Sequence, residues 1–570
     1  MALSLSRAPC RLGLAALGLA VPGLAVPGLA AVQEPEPAPA EFLGRLPDGG
    51  AAAMRLVFRK GLQIEARRLP RKFLLRKAEA PWIFFEDLSP EGKKWALKAA
   101  FPDDVWTKEE VRHFVRHAAL ESVWLMASHF TGHGQNYDRL EALNPKNPEK
   151  LVAGDLWRIP RELLSRDLGG QGLAPDRSQP EDGLDDEARV KAYRALLSYD
   201  QDREGKFAAY KLRKGEALWS SVVMRYTDRV DAKEVNRAAE LIAKRSGIAD
   251  VRGIQPGTTI RIPMELLSDP FQLEGSQALK EEQEVREEVR RTPKLEAGPK
   301  LGGVRIVLDA GHGGRDKGAM ANGLWESDFV YDIAMRAKRI LEQDTEATVS
   351  STIVYPRLGF KTREDIRRPS DVAQILTTPP FPIDGESPTA VSVHLRWVLA
   401  NDLFAAFVKK KGDPRKTLFL SFHADSLHPT ARGTMVYVPG AASVPSTFGL
   451  AGRRAANVKE MKASGHVAFT TREKLQGEAR SRVFSELLLR ELQKAKLPVH
   501  PNRAIRNVIH RDGKNFVPAA IRHNAAATKV LIEVANLTNE ADVENLTDPA
   551  FRESYAEAVV KAVRAYYKKS

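Results

Sequence analysis

The sequence predicts an α/β protein: a C-terminal domain with a mostly parallel, twisted sheet flanked by helices, preceded by two small strand–helix–helix–strand units. Three observations predict it. From Leu301 onward, apolar runs of strand length alternate with amphipathic helical stretches, the pattern of an α/β layer fold. Three of those runs, at residues 304–309, 417–423 and 529–533, end in an ionisable side chain where the chain leaves the sheet. Upstream, LVAGDLWRIPRELLS at 151–165 realigns on IQPGTTIRIPMELLS at 254–268, a repeat present twice and so a pair of small domains rather than a solenoid.

A chain of 570 residues is too long for one core, and two to four domains are expected. At the N-terminus, Arg7 and Arg11 precede a Leu/Ala/Gly/Val run that gives way near Val32 to QEPEPAPAE. This is the layout of a secretory signal over residues 1–31, with Gly28-Leu29-Ala30 as a small-x-small cleavage site. An uncleaved anchor is the alternative; Pro22 and Pro27 weaken a spanning helix. The expected location is therefore outside the cytoplasm, in the periplasm or cell wall, with no membrane span once the signal is removed. Cys10, the one cysteine, leaves with the signal, so any metal site must use His, Glu and Asp. The net charge of +14 fits an anionic partner. No aromatic-rich RNA-binding signature or metal-finger cysteine spacing accompanies it, so no nucleic-acid partner is expected.

The remaining elements follow in order. Residues 44–105 carry an apolar-basic stretch and an aromatic patch at 82–85, read as a small helper domain without assigned chemistry. The first repeat unit spans 106–166 and the second 207–268. Each closes on a strand entered by a glycine turn and ended by proline. Trp124 and Trp219 open apolar helical segments and are read as core. Residues 167–206 form a linker with a short helix near 187–197. Residues 269–301, with QALKEEQEVREEVRR, form a charged helical linker whose alternating charges read as a solvated face. The second unit, YKLRKGEALWSSVVMRY … IQPGTTIRIP, resembles the LysM module, a small βααβ domain. The first is a degenerate copy, because VRHFVRHAALESVW lacks the turn glycine. That resemblance implies binding of N-acetylglucosamine-containing glycans.

Residues 302–570 hold the chemistry. VRIVLDAGHGGRDKG puts His312 on a glycine turn at a strand end, SFHADS puts His423 at a second, and VLIEVANL puts Glu533 at a third. Burying such groups is costly unless they are paired or metal-bound, so three placements need a shared explanation. Glu326 opens the helix FVYDIAMRAKRILE, where alone it would read as a complement to the helix dipole. With His312 and His423 it reads as a His/Glu/His shell suited to catalytic zinc, Zn2+. Asp425 and His428 lie close enough to His423 to substitute as ligands. Asp309 either orients a ligand histidine or closes a strand-end turn. Dinucleotide and P-loop readings fail: Asp316 stands where the last glycine is needed, and Ala319 where a P-loop needs lysine. Neither H-E-x-x-H nor G-x-S-x-G occurs.

VLDAGHGGRDKGA, Glu326, the Thr-Arg-Glu-Asp segment at 362–365, SFHADS and VLIEVANLTN occur in the order found in zinc-dependent N-acetylmuramoyl-L-alanine amidases, which residues 303–567 resemble. The resemblance implies that His312, Glu326 and His423 bind zinc. It also implies that Glu533 is the general base toward a zinc-activated water, and that the target is the amide between N-acetylmuramic acid and L-alanine of the stem peptide. The implied partner is peptidoglycan, with glycan strands at the LysM-like units and stem peptide at the zinc, together with a protein activator. Alternatives are an inactive wall-binding or regulatory protein, and another zinc hydrolase, a peptidase or deacetylase, on the same fold. Two long segments, 355–391 and 439–475, depart from a compact family domain. They are expected to shape the substrate groove or to occlude the zinc.

Overall fold

The strand Ala51–Val57 buries alternate residues, Ala52, Met54 and Leu56, as period-2 side-chain alternation requires. It is the second strand of an antiparallel four-stranded sheet covering Ala40–Arg45, Ala51–Val57, Gly61–Glu65 and Trp82–Phe84. The helix Pro90–Ala100, capped by Ser89, follows. Next come strand Glu110–Phe114, helices Val123–Thr131 and Tyr137–Leu143, and strand Leu156–Pro160, which pairs antiparallel with the first. One apolar core runs from Leu46 to Leu168, so residues 44–105 and the first repeat are not separately packed. Trp124, expected in that core, is 49% exposed, and Trp157 is the buried tryptophan. The computed structural model describes residues 37–567 apart from 58–60, 76–80, 133–135, 145–150, 172–184, 214, 249–250, 252–253, 322–323, 366–371, 385–388 and 451–456. The signal segment at 1–31 lies outside the described residues. The chain divides into two compact units, Met1–Asp176 and Arg177–Ser570.

The second unit begins with helix Asp186–Ala195 and a hairpin of Leu197–Asp202 with Gly205–Lys211. A π-helical run, Leu218–Val223, continues into Met224–Thr227. Helix α1 (Ala232–Ser246) follows, and strand Thr259–Pro263 returns to pair with Gly205–Lys211, completing the βααβ order. Tyr210, Val222, Tyr226, Val235, Ile242 and Ile260 form its core. Helix α2 (Gln277–Arg291) is the charged helix expected from the sequence. It is packed on one side, with Leu279, Glu282 and Val285 buried.

Beyond it, strands β1 (Arg305–Ala310), β2 (Thr348–Ser351), β3 (Thr417–His423), β4 (Met435–Tyr437), β5 (Ile505–Arg506) and β6 (Thr528–Glu533) form one sheet in the order β2-β1-β3-β6-β4-β5. Every neighbouring pair is parallel except β6 with β4. Ile306, Leu308, Leu420, Phe422, Val530 and Ile532 face one core; Val307, Phe419 and Leu531 face the other. Burial on both faces is why these strands read as unbroken apolar runs. Helices α3 (Glu326–Asp344), α5 (Thr471–Lys494) and α6 (Pro549–Tyr566) cover the first face, and α4 (Thr389–Lys409) sends Ala400 and Phe404 to the second. The segment Val391–Lys409 is long and apolar enough to cross a membrane, but 56% of it is buried, as in a core helix. The mostly parallel sheet between helices matches the expected fold class.

Candidate metal centre

β1 ends at Ala310, and the chain turns through Gly311-His312-Gly313. His312 sits in the left-handed region at φ 63°, a conformation that costs a non-glycine residue about 1 kcal/mol. Arg396 of α4 holds it there. Its Nη1 donates to the Ala310 carbonyl at 2.5 Å, its Nη2 donates to the His312 carbonyl, and it pairs with Asp309 at 2.7 Å. Asp309 is wholly buried and also accepts from Ser421 Oγ at 2.6 Å and from Thr352 Oγ1. Burial alone would raise its pKa, but Arg396 and the two hydroxyls outweigh that and hold it below the usual carboxylate range. Asp309 therefore secures the turn through Arg396 and bonds to neither histidine ring.

Two glycines owe their positions to the site. A Cβ on Gly311 would lie 2.4 Å from His423 Cε1. One on Gly318 (φ 70°) would lie 2.4 Å from Glu326 Oε2 and 2.6 Å from His312 Cδ2. The backbone approaches the ligand side chains as closely as a missing Cβ allows.

Glu326 opens α3, where its carboxylate is 2% exposed. Oε2 accepts from the Ala319 N–H at 2.8 Å; Oε1 accepts from the Ala424 N–H at 3.0 Å and lies 2.8 Å from His423 Nδ1. Burial opposes ionisation, yet His312, His423 and the Ala319 N–H together bring its pKa down to about 2. His312 Nε2 is 3.4 Å from Glu326 Oε2, while its Nδ1 bonds Asp316 Oδ1 at 2.9 Å. Burial lowers the His312 pKa, and Glu326 with Asp316 more than reverses it. The ligand atoms of His312, Glu326 and His423 all lie within 4.8 Å of one another, the one such group among the described residues. The two rings meet edge to face, 5.2 Å apart. Two imidazoles and one ionised carboxylate, with no thiolate, are a donor set that fits Zn2+. Asp316 is the carboxylate partner that leaves His312 Nε2 facing the site, the arrangement usual for a metal-binding histidine.

Glu533 ends β6 in register with His423 on β3 and with Met435 on β4. It is 4% exposed, and its Oε2 accepts from the Asp425 N–H at 2.9 Å. Burial, then the charges of Asp425 and Glu326, push its pKa well above the ordinary value. Asp425 and His428, the substitute ligands, stand outside the group. The Asp425 carboxylate pairs with Arg511, and His428 Nδ1 bonds Thr430 Oγ1 at 2.9 Å. Segment 355–391 is folded over the histidine turn: Tyr355 Oη accepts from the Gly314 N–H at 3.0 Å, and Ile383 O from the Arg315 N–H at 2.9 Å. The side chains of His312 and His423 keep 24% and 17% exposure. Thr362–Asp365 belongs to the scaffold, where the Arg363 N–H donates to Asp332 Oδ1 at 2.6 Å and Arg552 closes the same network.

Residues 306–364 and 384–565 match the family described as N-acetylmuramoyl-L-alanine amidase. The C-terminal domain belongs to this family. The endolysin of Bacillus phage SPP1 is 51% identical over 47 residues, covering 8% of this chain and 17% of the endolysin, so the chain spans only that fraction of its curated relative. The amidase Ami1 of Mycobacterium smegmatis is 17% identical, with 48% of this chain and 98% of that one covered and a TM-score of 0.29. AmiC2 of Nostoc punctiforme is 19% identical over 47% of this chain and 99% of that one, with a TM-score of 0.27. The family match, not these structural likenesses, carries the assignment. Within the amidase domain, sequence reasoning missed Arg396, Asp316 and Arg511. Arg396 had a signal of sorts, a lone arginine in the apolar helix VSVHLRWVLA, and Asp316 stood inside the glycine loop.

Proposed function

We propose that this protein is a peptidoglycan hydrolase that cleaves the amide between the lactyl group of N-acetylmuramic acid and L-alanine of the stem peptide. The observation that carries the reading is the convergence of His312, Glu326 and His423 within 4.8 Å, with Glu533 in register beside His423. The family match to residues 306–364 and 384–565 supports the substrate class. His312, Glu326 and His423 would hold zinc, which supplies Lewis-acid polarisation of a carbonyl and of a water. Glu533 handles the proton. Its Oε2 is engaged by the Asp425 N–H, and Oε1 takes the proton from the attacking water and returns it to the departing amide nitrogen as the C–N bond breaks. A carboxyl of raised proton affinity suits both halves of that duty. The Asp316 carboxylate keeps the His312 ring oriented, and Arg396 keeps its turn closed. The two βααβ units hold glycan strands, and the protein acts outside the cytoplasm, in the periplasm or cell wall, under a protein activator.

Digestion of purified sacculi tests the reading. Wild-type protein should release intact stem peptides with new amino termini at alanine. Glu533→Ala should be slower by about 10²–10⁴-fold with its bound zinc retained. EDTA should abolish activity and zinc restore it. Peptides cut internally would indicate a peptidase, and sacculus binding without release an inactive wall-binding protein.

A further inference from the structure

The second βααβ unit shares its core with the amidase domain. Leu427, Ala431 and Met435, which follow His423, pack into the same apolar cluster as Tyr226, Val235 and Ile260. The His428 N–H donates to the Val230 carbonyl at 2.9 Å, and buried Asp228 takes Arg503 Nη1 at 2.6 Å and Arg506 Nη1 at 3.1 Å. A hairpin of the amidase domain, Ile509–Arg511 with Lys514–Phe516, docks on α1. Its turn residue Gly513 donates from its N–H to Glu234 Oε1 at 2.7 Å. Both turn residues, Asp512 and Gly513, have positive φ, as a tight two-residue hairpin requires.

From that hairpin Arg511 reaches two carboxylates. Its Nε lies 3.5 Å from Asp231 Oδ2, the residue that caps α1, and its Nη2 pairs with Asp425 Oδ2. Asp425 in turn donates its main-chain N–H to Glu533 Oε2 at 2.9 Å and takes the Ser426 N–H on its own Oδ1 at 2.8 Å. Pinning the Asp425 side chain pins the peptide whose N–H aims at Glu533. Resting on the function proposed above, we propose that Arg511 is a positioning residue: it ties the βααβ unit at 207–268 to the orientation of Glu533, making that unit part of the catalytic apparatus as well as a wall-binding module. Asp231, Arg511, Asp425 and Glu533 form one continuous line of contacts, and Arg511 is the link that crosses between the two domains. Loss of orientation at a reacting group lowers turnover without weakening substrate binding.

The test uses the full zinc-loaded chain and a soluble muramoyl-peptide, comparing wild type with Arg511→Met, Arg511→Lys and Asp231→Asn. The readouts are kcat, KM, zinc per chain and thermal midpoint. For Arg511→Met, kcat should fall about tenfold or more, with KM within about twofold and zinc content unchanged. Arg511→Lys should recover part of the loss. Asp231→Asn, which keeps a helix-capping side chain, should lower kcat by less. An unchanged kcat in Arg511→Met overturns the proposal, as does a rise in KM alone, which would make Arg511 a substrate contact. If Arg511→Met lacks a thermal transition, Asp231→Asn decides by the same kcat criterion. An inactive wild type defeats the reading of the site itself; an active wild type matched by Arg511→Met defeats only the role of Arg511.

Discussion

His312 and Asp316 show how much of the site one residue can carry. His312 presents Nε2 to Glu326 only because Asp316 engages Nδ1 at 2.9 Å. Asp316→Asn would keep the shape but lose the charge-assisted bond. Zinc affinity is expected to fall about 10- to 100-fold, measured by competition with a chromophoric chelator. Gly318→Ala should be more severe, because its Cβ would sit 2.4 Å from Glu326 Oε2 at a φ of 70°. Zinc per chain should drop well below that of wild type in purified protein, and an unchanged content would contradict the close packing described. His312, Glu326, His423 and Glu533 could be found in the sequence because each ends or begins an apolar element, where an ionisable group is conspicuous. Asp316 and Arg396 could not, since their roles depend on which side chain the fold brings opposite them.

At the scale of the element, α2 departs most from its sequence. QALKEEQEVREEVRR reads as solvated, yet Glu282 is 3% exposed and holds Arg482 of α5 through two bonds, 2.9 and 2.7 Å long. Arg286 adds a 2.8 Å contact to the same carboxylate, and Glu478 shares Arg482. Burial opposes the charge on Glu282, but Arg482 and Arg286 bring its pKa down to about 2. A folded pKa below the unfolded value of about 4.3 means the stabilisation is full above that pH and is lost as pH falls toward 2. Glu282→Gln should therefore cost about 3 kcal/mol in urea unfolding near pH 7, a difference that shrinks between about pH 4 and 2. A difference independent of pH over that range would rule out the ionised pair as its source. The helix itself was legible from propensity and charge spacing. Its burial was not, because the same glutamate serves a solvated face or a buried pair, and only the arginine from a helix 200 residues away distinguishes them.

For the whole molecule, the consequential feature is that residues 207–268 and the amidase domain share one interior. Asp228, Arg503 and Arg506 are all buried at that junction, and leaving two guanidinium groups without their carboxylate is costly. Asp228→Asn is expected to destabilise the unit by about 3–5 kcal/mol. In hydrogen exchange on the full chain, peptides from 207–268 and from 302–567 should lose protection at the same urea concentration. Separate transitions would make the βααβ unit an independent module.

The sequence by itself determined the α/β class, the order strand–helix–helix–strand in both repeats, and the four side chains that end or open elements around the metal centre. Those properties are local: apolar periodicity, turn chemistry and the conspicuousness of a charge beside a buried run are written within a dozen residues. Only the tertiary structure decided that Arg396 ties Asp309 to the histidine turn, that Asp316 rather than Asp309 orients His312, and that the second βααβ unit is built into the amidase domain. Each of those is a pairing of charges or apolar surfaces across scores to hundreds of residues, or a choice between two neighbouring carboxylates. A charge finds its partner by position in space, which a single sequence does not state.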